Sequence, residues 1–361
     1  MKGTSIFRLN ARLLFLVLAV VLLYFGRLFL IPVGFALLLS LLMLPLGRKL
    51  EQWGVSRIWA TLLCILLIVL LIAGVLLLLI AQAVNISEDW PQMQPKLEQL
   101  ISSVQEWIRQ QFGVAPQEQI RMVQEQIKKF SESANKLGTS LLKGSLGLLS
   151  SFVLVLLYMF FLLWKREKYQ EFFLRLFKEE RHAKVNQVLD QIKKVAGQYL
   201  AGRLISIAFI AAFYAIGFSI IGLENALLVA PIAAIPILVP YVGAFVGSAF
   251  PLVFALASGS TDLVLPTMLV IVGAQIIDNN FIEPLAMGAK LNLSPIFTIV
   301  AVVSGELVWG VAGMILFEPL FAVIKILCDQ VPALHPYGYL LGNEVKEPGW
   351  LMKLKKVFQK S

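Results

Sequence analysis

The sequence predicts an all-α polytopic membrane protein with about eight membrane segments, two of them broken or re-entrant, plus an extracytoplasmic helical hairpin. Of the 361 residues, 58% are hydrophobic and only 15% are charged, and the mean hydropathy is +0.81. Soluble domains contain about 45–50% apolar and about 25% charged residues. Long unbroken runs of Leu, Val and Ile exclude the alternating pattern of an outer-membrane barrel.

Eight apolar stretches carry the predicted membrane segments. A helix needs about 20 apolar residues to cross the hydrocarbon core, which is ~30 Å thick. The stretches are residues 13–25, 28–46, 58–80, 146–164, 204–221, 226–257, 263–282 and 296–327. Lys2, Arg8 and Arg12 before the first stretch resemble a signal peptide. Because no small-residue cleavage site follows, we expect a retained first helix.

Residues 226–257 and 296–327 are too long to cross the membrane as straight helices. About 32 residues at 1.5 Å per residue would span roughly 48 Å. Proline and glycine interrupt both stretches, so each is expected to be either kinked or re-entrant. The candidate helix-breaking residues, including one after the seventh segment, are Pro240, Gly243, Pro284, Gly310, Gly313 and Pro319. Pro284 disfavours a helical conformation at the preceding residue, so the seventh helix is expected to end there.

Charge patterning divides the chain into regions. Residues 82–144 carry equal numbers of acidic and basic side chains and two apolar stripes at helical spacing, which predicts a helical hairpin. Residues 165–203 are strongly basic and include an apolar face with Phe172 and Phe173, which suits an anionic membrane surface. The predicted regions are 1–81 (N-terminal membrane helices), 82–144 (extracytoplasmic helical hairpin), 145–203 (membrane helix and basic cytoplasmic amphipathic region), 204–328 (membrane transport core) and 329–361 (basic cytoplasmic tail).

The net charge of +9 indicates membrane orientation rather than nucleic-acid binding, because the excess lies in short loops beside apolar segments. The N-terminus, the loop 47–57, the region 165–203 and the C-terminal tail are the basic parts. An even number of crossings therefore places both termini in the cytoplasm and the 82–144 hairpin outside. The lipid bilayer is the first expected partner.

A polar stretch at the end of the seventh segment is the candidate solute site. Its members are Gln275, Asp278, Asn279, Asn280 and Glu283. A charged side chain at the bilayer centre costs about 2.5–3.5 kcal/mol, so such residues normally face a cavity or a partner. The stretch is therefore interpreted as a polar wall facing a pathway, or else as a helix end among the lipid headgroups.

The remaining chemistry-bearing residues give no enzymatic pattern. Cys64 and Cys328 lie in separate apolar segments, and His182 and His335 are far apart, so neither a disulfide framework nor a metal site is predicted. The sequence contains no Gly-rich phosphate loop, paired-histidine motif or nucleophilic triad pattern. We therefore expect no enzyme activity, no cofactor and no ATP-driven pumping by this chain alone.

Several motifs in the C-terminal half occur in the order typical of a known family. They are Gln275, Asp278-Asn279-Asn280, Glu283-Pro284, Leu293-Ser294-Pro295, Gly305, Gly310-Val311-Ala312-Gly313-Met314 and Pro319, with Pro240-Tyr241-Val242-Gly243 upstream. In these motifs the chain resembles the autoinducer-2 exporter-like family of bacterial membrane proteins. It departs from the family pattern at Ser294, where His is usual, and at Glu318, where an apolar residue is usual.

The resemblance implies a multi-spanning, homo-oligomeric carrier of the bacterial cytoplasmic membrane. The expected function is secondary transport that exports a small polar solute similar to autoinducer-2. Glu318 and Glu283 are candidate ion-coupling residues, because a buried carboxylate suits proton exchange. A sodium or lithium/proton antiporter using Asp278 and Glu283 remains an alternative, as does a membrane scaffold without transport activity.

Overall fold

The computed structural model describes residues 6–78, 150–257, 261–286 and 291–343, together with Pro95 and Ser102. Regular structure within these residues is helical, apart from one isolated antiparallel bridge between Leu293 and Gly342. Apart from Pro95 and Ser102, the hairpin predicted for residues 82–144 lies outside the described residues. The same is true of the basic tail after residue 343.

Helices of widely different length make up the fold. They are α1 (Ile6–Phe25), α2 (Arg27–Gln52), α3 (Arg57–Leu78), α4 (Ser150–Trp164), α5 (Arg166–Arg175), α6 (His182–Ile220), α7 (Ala226–Ala234), α8 (Val242–Ala257), α9 (Val264–Ile277), α10 (Glu283–Ala286), α11 (Pro295–Trp309), α12 (Val311–Gln330) and α13 (His335–Leu341). A 3-10 turn, Ile235–Leu238, follows α7, and a π-helical turn, Asp278–Ile282, joins α9 to α10.

Five helical stretches in the described part of the chain are long and apolar enough to cross a membrane. They are Arg27–Gln52, Arg57–Leu78, Glu179–Ile220, Val264–Ala286 and Val311–Gln330. Shorter apolar helices, including α4 and α11, accompany them. The predicted class of polytopic all-α membrane protein is confirmed.

The first interrupted segment is a helical hairpin rather than a kinked helix. Gly247 on α8 packs directly on the carbonyl group of Ala233 on α7, and Gly243 packs on the carbonyl group of Pro236. In one straight helix, Ala233 and Gly247 would lie about 21 Å apart. Only residues without a Cβ allow the two backbones to approach so closely. The chain therefore reverses between Leu238 and Val242.

The second interrupted segment is also a hairpin, and its turn is a single residue. Gly310 joins α11 to α12 with φ 62° and ψ −145°, a conformation that side chains with a Cβ rarely adopt. Beyond the turn, Gly305 on α11 and Gly313 on α12 are in backbone contact. The Trp309 indole beside the turn donates a hydrogen bond to the Leu23 carbonyl oxygen of α1 at 2.8 Å. Pro319 lies within α12 and does not interrupt it.

The two hairpins enter the fold from opposite ends of α6. Helix α7 follows the C-terminal end of α6, whereas Ala322 and Ile326 of α12 pack against Val195 near its N-terminal half. Ser294 also donates its backbone N–H to the Leu341 carbonyl oxygen at 2.9 Å, so the start of α11 and the end of α13 lie together. Each hairpin therefore begins and ends at the same end of the helical bundle.

Helix α6 is the central element, and it begins well before the predicted fifth membrane segment, residues 204–221. The burial of its side chains before residue 204 was not predicted. The basic region predicted to extend to residue 203 continues without interruption into the fifth membrane segment, because no proline occurs between His182 and Ile220. One face of α6 is buried along most of its length. Its members are Tyr199, Arg203, Ser206, Ile210 and Tyr214. They recur every three or four residues, which is the spacing of one helical stripe.

Ion pairs connect α5 to the C-terminal end of α2 and the first residue of α3. Arg57 donates to Glu167 at 2.6 Å, and Arg166 donates to Glu51 at 2.5 Å. The hydrogen bond from Arg57 is the main cause that lowers the pKa of the Glu167 carboxyl below its ordinary value of 4.5. Both side chains are substantially exposed, so the pair contributes only weakly to stability.

Replacement of Glu167 by Gln should remove a small acid-sensitive part of the stability. A carboxyl with a lowered pKa in the folded state stabilises the fold above its unfolded pKa, and that contribution disappears as the pH falls through the folded pKa. We expect the melting temperature in detergent to drop on acidification by up to about 2 °C more in the wild type than in E167Q. E171Q, which breaks a pair within α5, is the matched control. An equal acid response in the wild type and E167Q would contradict the prediction.

Candidate functional site

A buried arginine lies where the two hairpins meet α6. Arg203 is only 8% exposed, and its guanidinium lies between two carboxylates from distant parts of the chain. Its Nη1 atom is 3.7 Å from Glu283 Oε1, and its Nη2 atom is 3.6 Å from Glu318 Oε2. Helices α6, α10 and α12 therefore each contribute one charged group to a single site.

The ion pairs of Arg203 are loose. Both nitrogen–oxygen distances exceed the 2.7–3.2 Å of an N–H···O hydrogen bond, as expected when a water molecule or another polar group bridges the pair. Among the described residues, no hydrogen-bond partner is found for Arg203 Nε, Glu318 Oε2 or the Tyr199 hydroxyl. The Tyr199 ring lies 5.8 Å from the guanidinium carbon. The site thus combines unused donors and acceptors.

A second polar layer lies farther along α6. Asp278 is 3% exposed, and Ser206 of α6 is close enough to influence its carboxyl group. Neither Asp278 Oδ1 nor Ser206 Oγ reaches hydrogen-bond geometry with another described group. Gln275 lies close to the Tyr214 hydroxyl group. Neither Gln275 Nε2 nor the Tyr214 hydroxyl reaches hydrogen-bond geometry with another described group. A buried polar group without a partner costs about 1–3 kcal/mol, so several together favour a ligand-binding role.

The π-helical turn positions these residues. Pro284 cannot donate a backbone hydrogen bond, and its ring would clash with the carbonyl group four residues earlier in a regular helix. Helix α9 therefore widens over Asp278–Ile282 and then continues as α10. The expectation that the helix ends at Pro284 is wrong. Such π-helical insertions are frequent at functional sites.

The structure divides the predicted polar wall into two faces. Gln275 and Glu283 are half-buried and Asp278 is buried, all beside α6, whereas Asn279 and Asn280 are exposed. The Asn280 side chain donates to the Ile276 carbonyl oxygen of its own helix at 2.8 Å. Glu318, predicted as a coupling residue, is 5% exposed and lies with Glu283 beside Arg203.

Arg203, Tyr199 and Ser206 were not among the site residues predicted from the sequence. In the sequence, Arg203 is the last charge of the basic region 165–203. A signal was nevertheless present, because Tyr199, Arg203 and Ser206 continue the helical stripe of the following apolar segment. A cation on that stripe must be buried with the helix, and a buried cation requires a counter-charge.

The site contains more carboxyl groups than cationic groups. Asp278, Glu283 and Glu318 lie near Arg203, which is the cation paired with the two glutamates. Within the described residues, no group of three or more His, Cys, Asp or Glu side chains is arranged to hold a metal ion. The chemistry available is hydrogen bonding to a polar solute and compensation of carboxylate charge by a proton or a monovalent cation.

Comparisons with known proteins agree with the motif pattern. The model of the AI-2E family of transporters matches residues 13–333. YueF of Bacillus subtilis is 26% identical over 311 residues, which are 81% of this chain and 82% of YueF. MT0215 of Mycobacterium tuberculosis is 23% identical over 301 residues, covering 81% and 80%. YrrI of B. subtilis is 28% identical over 131 residues, covering 36% and 37%. Each name assigns its protein to transport and specifies no solute.

Proposed function

Since this chain belongs to the AI-2E family of transporters, we propose that it is a secondary carrier that exports a small polar solute of the autoinducer-2 type. The site around Arg203, Glu283, Glu318 and Asp278 is the proposed resting place of that solute. The transport core predicted from residue 204 is extended to include the α6 face from Tyr199 onwards.

The loosely paired, buried Arg203 carries this proposal. A guanidinium held only for structure would be expected to bond its carboxylates directly, because buried ion pairs offset their desolvation only with good geometry. Here the paired atoms are 3.6–3.7 Å apart, and within the described part of the chain Arg203 Nε, Glu318 Oε2 and the Tyr199 hydroxyl group have no hydrogen-bond partner. A hydroxylated solute would insert its hydroxyl groups between them. Arg203 and Tyr199 would donate hydrogen bonds, and Glu283 and Glu318 would accept them.

Opposed hairpins support an alternating-access mechanism. Transporters commonly bind substrate near the membrane midplane, between interrupted helices that enter from opposite sides. The α7–α8 turn approaches α12 here, since Leu238 packs with Tyr199 and Leu316. Rocking of one hairpin against α6 would open the site to one side at a time. We propose that the three neighbouring carboxylates couple this movement to a proton, which Glu283 or Glu318 would bind.

The excess of carboxylates also favours a second candidate, sodium or lithium/proton antiport. Asp278 and Glu283 supply oxygen atoms, which hard cations prefer. The Asp278 carboxyl group and the Ser206 hydroxyl group are adjacent, and Asp278 Oδ1 and Ser206 Oγ have no hydrogen-bond partner among the described residues. In this case the cation and the proton would compete for the same carboxylates.

The proposed location is the bacterial cytoplasmic membrane, with both termini in the cytoplasm. We propose that both hairpins are re-entrant, which leaves six full crossings, namely α1, α2, α3, α4, α6 and α9 with α10. An even number keeps the basic regions on one side, as the positive-inside rule requires. Extensive exposed apolar surface on α1 and α3 suits lipid and, in the proposed homo-oligomer, a second copy of the chain.

Replacement of Asp278 by Asn should reduce solute flux at least about tenfold, which corresponds to about 1.4 kcal/mol. The reason is that Asn lacks the charge and one acceptor that the proposed solute or cation uses. The measurement is uptake of labelled autoinducer-2 into sealed vesicles containing purified protein, alongside sodium- or lithium-driven loss of a proton gradient. E318Q should separately abolish the pH dependence of flux.

The matched control is E306Q, because Glu306 is an exposed carboxylate on α11 outside the site. It should retain wild-type flux. N279A and N280A, assayed in parallel, test whether the exposed amide face contributes. If D278N retains both fluxes, the site proposal is wrong. If the wild type moves a cation but not autoinducer-2, antiport replaces export.

A further inference from the structure

The turn of the α7–α8 hairpin contains a tyrosine in an unfavourable backbone conformation. Tyr241 has φ 58°, in the left-handed region. Among the described non-glycine residues, only Asn225 and Asn292 share a positive φ, and Asn tolerates this region far better than a bulky aromatic residue. A glycine would satisfy the turn without strain, so the turn itself does not explain the tyrosine.

Packing on both sides of the turn imposes this conformation. Gly243 donates its backbone N–H to the Val239 carbonyl oxygen at 2.9 Å, and Val242 donates to the Pro240 carbonyl oxygen at 2.6 Å. Val239 is anchored in an apolar cluster with Val302 and Ile315 of the opposite hairpin. The chain therefore has only three residues, Val239 to Tyr241, in which to reverse direction. Unfavourable conformations of this kind concentrate at ligand clamps and switch regions.

The Tyr241 side chain is available for contact. Val239, Pro240 and Gly243 are buried around it, but Tyr241 itself is 55% exposed. Its phenol group lies within electrostatic range of Glu318, Glu283 and Arg203. The turn thus presents one polar aromatic side chain beside the charged site.

We propose that Tyr241 is a solute-contact residue that closes the Arg203 site from the α7–α8 side. Its hydroxyl group would hydrogen-bond a small hydroxylated solute, and its ring would cover the solute's C–H surface. This role rests on the proposed transport function and assigns a specificity-determining side chain to it. With Val239, Pro240 and Gly243 buried around it, the left-handed conformation leaves the exposed Tyr241 ring outside the hairpin core.

Replacement of Tyr241 by Gly tests this role, because Gly accepts the positive φ. We expect Y241G to match or exceed the wild-type melting temperature in detergent, yet to lose autoinducer-2 flux at least about tenfold. Y241N is a second variant, since Asn also adopts this conformation, and it should give the same result. Y241F keeps the ring but lacks the hydroxyl group, so it should raise KM more than it lowers the maximal flux.

F245A is the matched control. Phe245 is 79% exposed one helical turn after Tyr241, and its replacement should leave flux within about twofold of the wild type. Wild-type flux in folded Y241G or Y241N would overturn the Tyr241 proposal. If D278N loses flux in the same assay, only this inference fails. If D278N also keeps wild-type flux, the proposed function itself is wrong.

Discussion

Replacement of Arg203 by Met should abolish transport and strongly destabilise the protein. Arg203 is 8% exposed and faces Glu283 and Glu318. Removal of one partner from a buried ion pair typically costs about 3–5 kcal/mol, because the remaining charge is left uncompensated. We expect R203M to lose autoinducer-2 flux in sealed vesicles and to melt well below the wild type in detergent.

A double variant separates the charge effect from lost packing. In R203M/E318Q one uncompensated carboxylate is also removed, so part of the lost stability should return without any recovery of transport. R203K retains a positive charge but has only a single ammonium group. It should preserve most of the stability and lose solute flux, because an ammonium group cannot engage two carboxylates in the same planar geometry. Wild-type stability in R203M would contradict the proposed buried charge cluster.

Replacement of Gly313 by Val should prevent the second hairpin from closing. A Cβ atom at this position would overlap the backbone carbonyl group of Gly305, which cannot move aside unless α11 and α12 separate. Overpacking of a well-packed interior commonly costs about 1–3 kcal/mol, and a backbone clash belongs at the upper end. We expect a large loss of folded protein, measured by size-exclusion chromatography and melting temperature.

Gly74 on α3 provides the control, since a Cβ atom there would meet no described atom within 4 Å. G74A should be neutral or slightly stabilising, because alanine favours helix formation over glycine by about 1 kcal/mol. The reciprocal variant G305V should reproduce the G313V defect. If G313V folds and melts like the wild type, the close α11–α12 hairpin is incorrect, and with it the proposed re-entrant architecture.

Much of the fold could be predicted because membrane segments are specified locally. An apolar run of sufficient length must form a helix in lipid, where backbone polar groups have no other partners. Proline and glycine also marked both interrupted segments. Local sequence could not distinguish a kink from a hairpin, because the difference depends on contacts such as Gly247 with Ala233. Pro319 and Gly310 both suggested a break, yet only Gly310 is the turn.

The candidate site was predictable only in part, for a related reason. Asp278, Glu283 and Glu318 stood out as carboxylates within apolar surroundings, which are costly without partners. Arg203 did not stand out, because it follows a basic region and local rules treat such charges as solvent-exposed. Its burial depends on Glu283 and Glu318, which reach it from helices far downstream.

By itself, the sequence determined the helical membrane class, the segment positions and the carboxylates that need a partner, since hydropathy and helix-breaking residues act over short distances. Only the tertiary structure decided that the interrupted segments fold back on themselves and that Arg203 joins the acidic residues. The physical reason is that close backbone packing and charge compensation join residues distant in the chain. A local sequence pattern does not indicate which distant residues form these contacts.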